Sequence, residues 1–247
     1  MITFSAACRV GCVRTNNEDM VLAYDRLLRG DVYQSEIRTE NVDRFVMAVA
    51  DGMGGHNAGE VASEETLAHL RYFISDLPLG LTPESLVRTM TGWHQSVNQT
   101  INSRGMADRT LRDMGTTLVA MLYYAGHYYV MNCGDSRLYR LRDGQLRQLT
   151  TDHSLNTLTG STKHSNIITN CIGAGCKNSY VDLCEMTADV LSGDVFLLCS
   201  DGLNDMVADH DLERLLNGGA TANALCEAAI DRGGYDNVSA CVLHIDE

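Results

Sequence analysis

"FVMAVADGMGGHNAGEVAS", Phe45 to Ser63, places a run that is apolar at every position from Phe45 to Ala50 directly before an acid and a glycine-rich turn. Near-continuous apolarity with aromatic and β-branched residues predicts a strand covered on both faces. Such a strand gains nothing from a carboxylate at its tip, and a plain turn seldom uses glycine at 52, 54 and 55. Missing side chains there let something approach the backbone closely.

The same design recurs along the chain. Tyr128 to Met131, Val195 to Cys199 and, less strictly, Val238 to Ile245 are also apolar runs of strand length. Asp143-Gly144, inside "RLYRLRDGQLRQL", predicts a tight hairpin turn. Two helices follow the opening stretch: Gly59 to about Ser75, then a second with Thr82 as N-cap, Pro83 in its first turn and Gly105 closing it. Leu86, Met90, Trp93, Val97 and Ile101 fall on one face of the second and form core. Two further helices fit Asp209 to Leu216 and Thr221 to Asp231. Helices therefore group in layers instead of alternating with strands, an α+β arrangement and not a Rossmann or TIM one.

The 247 residues, 45% hydrophobic, suffice for one large domain spanning 1–247, with no linker, repeat or low-complexity tract. A net charge of −13 argues against nucleic acid or an anionic membrane as partner. Nine cysteines, several within apolar runs, read as buried reduced thiols. Without a leader or a span of membrane length, the expectation is a cytoplasmic chain.

Asp51, Asp135 and Asp201 each end an apolar run beside a glycine, and Asp236 stands just before the last run. Any one Asp-Gly is most often only a turn. Four acids at strand tips call for cations to hold them ionised, and oxygen donors select hard ions such as magnesium or manganese. A two-metal centre of this kind suits phosphate-ester hydrolysis. Arg14, shortly before Glu18 and Asp19, is the candidate phosphate clamp. The other polar residues near these runs are read as structural: His56 as a turn residue, Arg137 as part of a strand. No GxxxxGK[ST], complete GxGxxG or GxSxG occurs.

"VRTNNEDM", "VADGMGGHNAGEVAS", "DMGTTLVAML", "NCGDSRLYRLRDGQLRQLTTDHS", "LLCSDGLNDM" and "GGYDNVSACVL", in that order, resemble the motif series of the bacterial type 2C metal-dependent protein serine/threonine phosphatases. The resemblance runs from Val13 to Leu243. It implies a four-layer sandwich, two packed antiparallel β-sheets flanked by helix pairs. Asp51 corresponds to an aspartate bridging two metals, Gly52 to a glycine whose carbonyl binds the second, and Asp201 and Asp236 to the remaining ligands of the first. Glu18 and Asp19 match acids near the second metal that act through water, and Arg14 matches the phosphate-binding arginine. Asp135, with Asp201, matches a third-metal site to which Asp205 adds a contact. The implied reaction is attack on phosphoserine or phosphothreonine in proteins by a metal-bound hydroxide, with two to three Mn(II) or Mg(II) ions, opposing a serine/threonine kinase, in a monomer.

The chain departs from that pattern twice. Met53 occupies the place where animal members carry a histidine proposed as general acid, and the stretch from Asp152 to Cys171 is short for the flap of bacterial relatives. Arg26 to Asp43, long and polar, is expected to form a private hairpin or binding loop. Two other functions compete: a metal-binding pseudophosphatase acting as a regulatory module, and a phosphodiesterase of small molecules or nucleotides.

Overall fold

Every residue from Phe45 to Ala50 lies buried inside a strand in the computed structural model, which describes residues 1–54, 58–160 and 167–246. The chain begins with β1 (Ile2–Arg9), β2 (Met20–Ala23), β3 (Arg26–Leu28), β4 (Val32–Ile37), β5 (Arg44–Ala50) and β6 (Gly52–Met53). Helices α1 (Ala58–Ser75) and α2 (Pro83–Ala107) come next. Then follow β7 (Gly115–Thr116), β8 (Leu118–Tyr124), β9 (His127–Cys133), β10 (Arg137–Arg142), β11 (Gln145–Gln148), the short α3 (Leu155–Thr159), β12 (Ile172–Gly173), β13 (Asp182–Glu185) and β14 (Val195–Cys199). The chain closes with α4 (Asp201–Asn204), α5 (Asp209–Asn217), α6 (Ala222–Ile230) and β15 (Val238–Ile245).

Two antiparallel six-stranded sheets run β11-β10-β14-β15-β1-β4 and β13-β9-β8-β5-β2-β3, and β12-β7-β6 form a small third one. Strand apolarity has a direct cause. In β5, Phe45, Met47 and Val49 point into the core between the large sheets, whereas Val46, Ala48 and Ala50 point into the core beneath α1 and α2. β14 does the same against α5 and α6: Phe196 and Leu198 face the other sheet, Val195, Leu197 and Cys199 the helices. With both faces covered, no position on these strands is left for a polar residue. The result is the expected α-β-β-α sandwich.

Thr82 caps α2, its hydroxyl accepting from the Ser85 N–H at 3.2 Å, and Pro83 stands in the first turn. Leu86, Met90, Trp93, Val97 and Ile101 are all buried, each worth roughly 2 kcal/mol of apolar burial. Gly105 does not end this helix; Asp108 does, and Gly105 instead lets the Leu111 carbonyl approach. Asp143 and Gly144 turn the β10–β11 hairpin with φ of 51° and 78°. The segment Arg26 to Asp43 is not a private hairpin. Its β3 joins the edge of one sheet and its β4 the edge of the other, so the stretch carries the chain between layers. All nine cysteines are free thiols, and among the described residues no helix is long and apolar enough to cross a membrane.

Candidate active site

Register decides where the acids meet. In one sheet Arg9, the end of β1, lies opposite Val238, the start of β15, and Cys199, the end of β14, lies opposite Ala240. In the other, Met20 at the start of β2 faces Ala50 at the end of β5, and Leu118 at the start of β8 faces Cys133 at the end of β9. The turns carrying Arg14, Glu18, Asp19, Asp51, Asp135, Asp201 and Asp236 all leave these strand ends. Two layers therefore deliver their acids to one place.

The electrostatics show how close that gathering is. Burial, then the fields of Asp19, Asp201 and Asp135, push the Asp51 carboxyl well above the usual carboxylate range. Asp201 is raised by burial against Asp205 and Asp236, and it shares a hydrogen bond with Asp51. Asp19, fully buried, is pushed up to about 7 by burial and by Asp201 and Asp236; Asp135 also rises to about 7, by burial and Asp201. Glu18 is raised by burial, with Asp236 and Glu60 adding to it and Arg14 opposing. Each carboxylate feels its neighbours as repulsion that a cation would relieve. Arg14 reaches into the cluster from the rim, its Nη2 donating to Asp236 Oδ2 at 2.8 Å.

Backbone contacts press the turns together. A methyl group on Gly52 would stand 2.2 Å from the Gly59 carbonyl oxygen and 2.5 Å from that of Glu18, so the start of α1, the Asp51 turn and the Glu18 turn fit only without it. Gly202 meets the Asn237 carbonyl oxygen in the same way, at 1.9 Å from where its Cβ would be. Asn237 then ties three segments: its Nδ2 donates to the carbonyls of Val10 and Asn16 at 3.0 and 2.9 Å, and its Oδ1 accepts from the Glu18 N–H at 2.9 Å. The Asp51 backbone is held by Thr116 and Thr117, whose hydroxyls meet its carbonyl at 2.8 Å and its N–H at 3.0 Å. Ser200 donates to Asp19 Oδ2 at 2.8 Å, while Asp19 Oδ1 is buried with no partner.

The protein phosphatase 2C family model matches residues 24–228. The chain belongs to that family. It is 33% identical over 255 residues to the serine/threonine protein phosphatase PstP of Mycobacterium tuberculosis, covering 99% of this chain and 45% of PstP. The chain thus spans about half the length of that relative. It is 32% identical over 252 residues to the serine/threonine phosphatase stp of Listeria monocytogenes, covering 96% of this chain and 93% of stp. Among solved structures, a serine/threonine phosphatase of S. agalactiae superposes with a TM-score of 0.85 at 26% identity, both chains fully covered. The catalytic domain of PstP in complex with two manganese ions superposes with a TM-score of 0.77 at 31% identity, again over the whole of both chains.

Within this phosphatase 2C chain the fates of the predicted residues differ. Glu18, Asp19, Asp51, Asp135, Asp201 and Asp236 gather around one centre, with Arg14 beside Asp236 and Gly52 pressed beneath Glu18. Asp205 caps α4 on the exposed side, near enough for its charge to reach both Asp201 and Asp135. His56 lies outside the described residues, as do 161–166 of the short flap. Arg137 is structural, as expected: its Nε and Nη2 form a paired bridge to Asp152, with the Nη2 bond at 2.7 Å.

Several residues that hold this site together escaped the sequence reading: Thr116, Thr117, Ser200, Asn237, His153 and Arg29. His153 Nδ1 accepts from the Gly134 N–H at 3.1 Å, so its other nitrogen is the protonated one and donates to Asp182 at 2.9 Å. That pins the turn before Asp135 to the base of the flap. Arg29 donates to the Asp19 carbonyl at 3.2 Å, to Glu60 and to Glu64, clamping the Glu18–Asp19 turn onto α1. For these residues the only signals in the sequence were the repeated small hydroxyls of "GTT" and "CSDG" and the asparagine after Asp236.

The donors fit hard divalent cations. They are carboxylates, one bears a buried oxygen without a partner, and their proton affinities are raised by their own crowding. Among the described residues no three His, Cys, Asp or Glu side chains already stand as a finished ligand set.

Proposed function

We propose that residues 1–247 work as one catalytic unit that removes phosphate from phosphoserine and phosphothreonine in proteins, opposing a serine/threonine kinase. In this reading the chain is a cytoplasmic monomer, and its cofactors are two or three Mn(II) or Mg(II) ions. The convergence of carboxylates from both sheets onto one strongly repulsive centre carries the proposal. Family membership and the manganese ions bound by the related PstP catalytic domain support it.

Asp51 from one sheet and Asp201 and Asp236 from the other would hold the ions, with the Gly52 carbonyl contributing, Glu18 and Asp19 acting through water, and Asp135 and Asp205 joining Asp201 at a further position. Ions held there would activate water and neutralise charge on the phosphoryl oxygens. Arg14 exchanges its pairing with Asp236 for paired hydrogen bonds to the substrate phosphate. Met53, next to Gly52, has no proton to give, so the departing seryl or threonyl oxygen takes its proton from water.

Hydrolysis of a phosphothreonine peptide in EDTA, magnesium and manganese, with Asp201→Ala alongside, tests this reading. Manganese-dependent turnover that the variant loses is expected. Silence toward every phosphopeptide under all three conditions would overturn it in favour of a binding module.

A further inference from the structure

Beside the C-terminal half of α2 lies a cavity of about 970 Å³ that the proposed reaction does not use. Its floor is apolar, formed by Ile101 and Met114, and its rim carries Arg109, Arg112 and Lys177. In a chain of net charge −13, three cations around one opening reverse the local sign. Among the described residues only Arg112 of the three has an ion-pair partner, Asp113 at 3.6 Å, and that pair is 78% and 76% exposed. A pair so solvated contributes little and leaves the guanidinium available.

The opening is built, not incidental. Asn98 Oδ1 accepts from the Gly173 N–H at 2.7 Å and its Nδ2 donates to the Cys176 carbonyl at 2.9 Å. One turn further along α2, Asn102 Oδ1 accepts from the Gly175 N–H at 2.8 Å. The loop bearing Lys177 is thereby fastened to the helix. The small sheet then links it to the active site. Gly173 of β12 lies opposite Gly115 of β7, which lies opposite Met53 of β6, next to Gly52. Two strand spacings make about 10 Å from Gly173 to Met53, the span of about three residues of extended peptide at roughly 3.3 Å each, and the cavity opens a little beyond, at Gly175 and Lys177 of the same loop.

We infer that this cavity docks acidic residues lying three to five positions from the phosphorylated residue of a protein substrate. The inference rests on the phosphatase reading above and adds a substrate class to it. Around the phosphate the chain presents carboxylates, which repel an acidic peptide, so discrimination in favour of one needs opposite charge at a distance. Arg109, Arg112 and Lys177 supply it, on long exposed side chains around a wide mouth, an arrangement suited to a passing peptide more than to an enclosed small anion.

The test uses the full chain and phosphothreonine peptides that differ only in carrying Asp, Ala or Lys at those positions on either side. On at least one side the Asp peptide is expected to exceed the Ala peptide about tenfold in kcat/KM, mainly through KM, with the advantage shrinking as salt rises. Arg109→Glu/Arg112→Glu/Lys177→Glu should erase or invert that order while leaving p-nitrophenyl phosphate turnover unchanged. Arg147→Glu, on the far edge strand β11, should preserve it. If the triple variant does not fold, Arg109→Ala and Lys177→Ala singly should each lower the preference about twofold. Equal kcat/KM for Asp and Ala peptides, or a preference that survives the triple variant, overturns the inference. Loss of turnover on every substrate, p-nitrophenyl phosphate included, instead overturns the phosphatase reading; docking is then judged by fluorescence anisotropy of an unphosphorylated acidic peptide, whose failure to bind overturns the inference too.

Discussion

Gly52 answers two demands at one position: in the proposed centre its carbonyl would serve a metal, and its missing side chain lets three backbone segments touch. The atoms a methyl group would strike, the carbonyl oxygens of Gly59 and Glu18, belong to backbone and cannot rotate away. Gly52→Ala is expected to cost about 2–4 kcal/mol and most of the activity, read by urea unfolding and phosphopeptide turnover. Gly92→Ala, in α2, has open space around the new methyl group and should stabilise by about 0.5–1 kcal/mol. If the two substitutions behave alike, close approach is not what selects glycine at 52. Asp51→Asn separates function from stability in a different way. It should remove turnover yet raise the melting temperature in EDTA, because a buried carboxylate repelled by Asp19, Asp201 and Asp135 becomes neutral. A lower melting temperature in EDTA would contradict the repulsion.

Between strands, the turns are positioned by hydrogen bonds more than by packing. Asn237→Ala strips partners from the Val10 and Asn16 carbonyls and from the Glu18 N–H, at about 1–3 kcal/mol for each group left buried and unpaired. Because the freed loop carries Arg14, the expected kinetic signature is a raised KM for phosphopeptide with a smaller change in kcat; unchanged KM would show that the loop holds its place without Asn237. These bonds also mark the limit of what was legible beforehand. β5 and β14 were readable because both faces are covered, which writes apolarity at every position, and Asp51 and Asp201 because an acid ending such a run stands out. Asn237, Ser200, Thr117 and His153 look in sequence like any solvated turn residue. Their partners lie far along the chain and are set only once two sheets pair in register. Arg29 was hidden in a polar stretch read as a private hairpin or binding loop, since nothing local reveals that Glu60 and Glu64 face it from α1.

Taken together, the raised carboxyls make the whole fold sensitive to pH in a direction that can be worked out. An acid whose affinity for protons is higher folded than unfolded opposes folding once the unfolded chain has lost its proton. Asp19 and Asp135, raised from 3.8 to about 7, therefore leave stability intact below about pH 4 and erode it progressively up to about pH 7. Asp51, Asp201 and Glu18 act in the same sense. His94, buried and lowered from 6.5 to about 4, works the other way, its stabilisation growing as pH rises through that window. The lowered surface carboxyls Glu84, Asp108, Glu185 and Asp211 take effect only as pH falls below about 4. Five acids against one histidine leave a net loss of at least roughly 5 kcal/mol in EDTA between pH 4 and 7, a fall of at least about 10 °C in Tm for a chain of this size. Manganese should flatten that slope, since an ion bound only by the folded state both holds the carboxylates ionised and adds stability by mass action. Differential scanning calorimetry across pH 4 to 8, with EDTA and with manganese, reads both slopes. A Tm in EDTA that stays level or climbs over this range would mean that the carboxylates do not crowd one another as described, and the case for a cation centre built on their repulsion would fall with it.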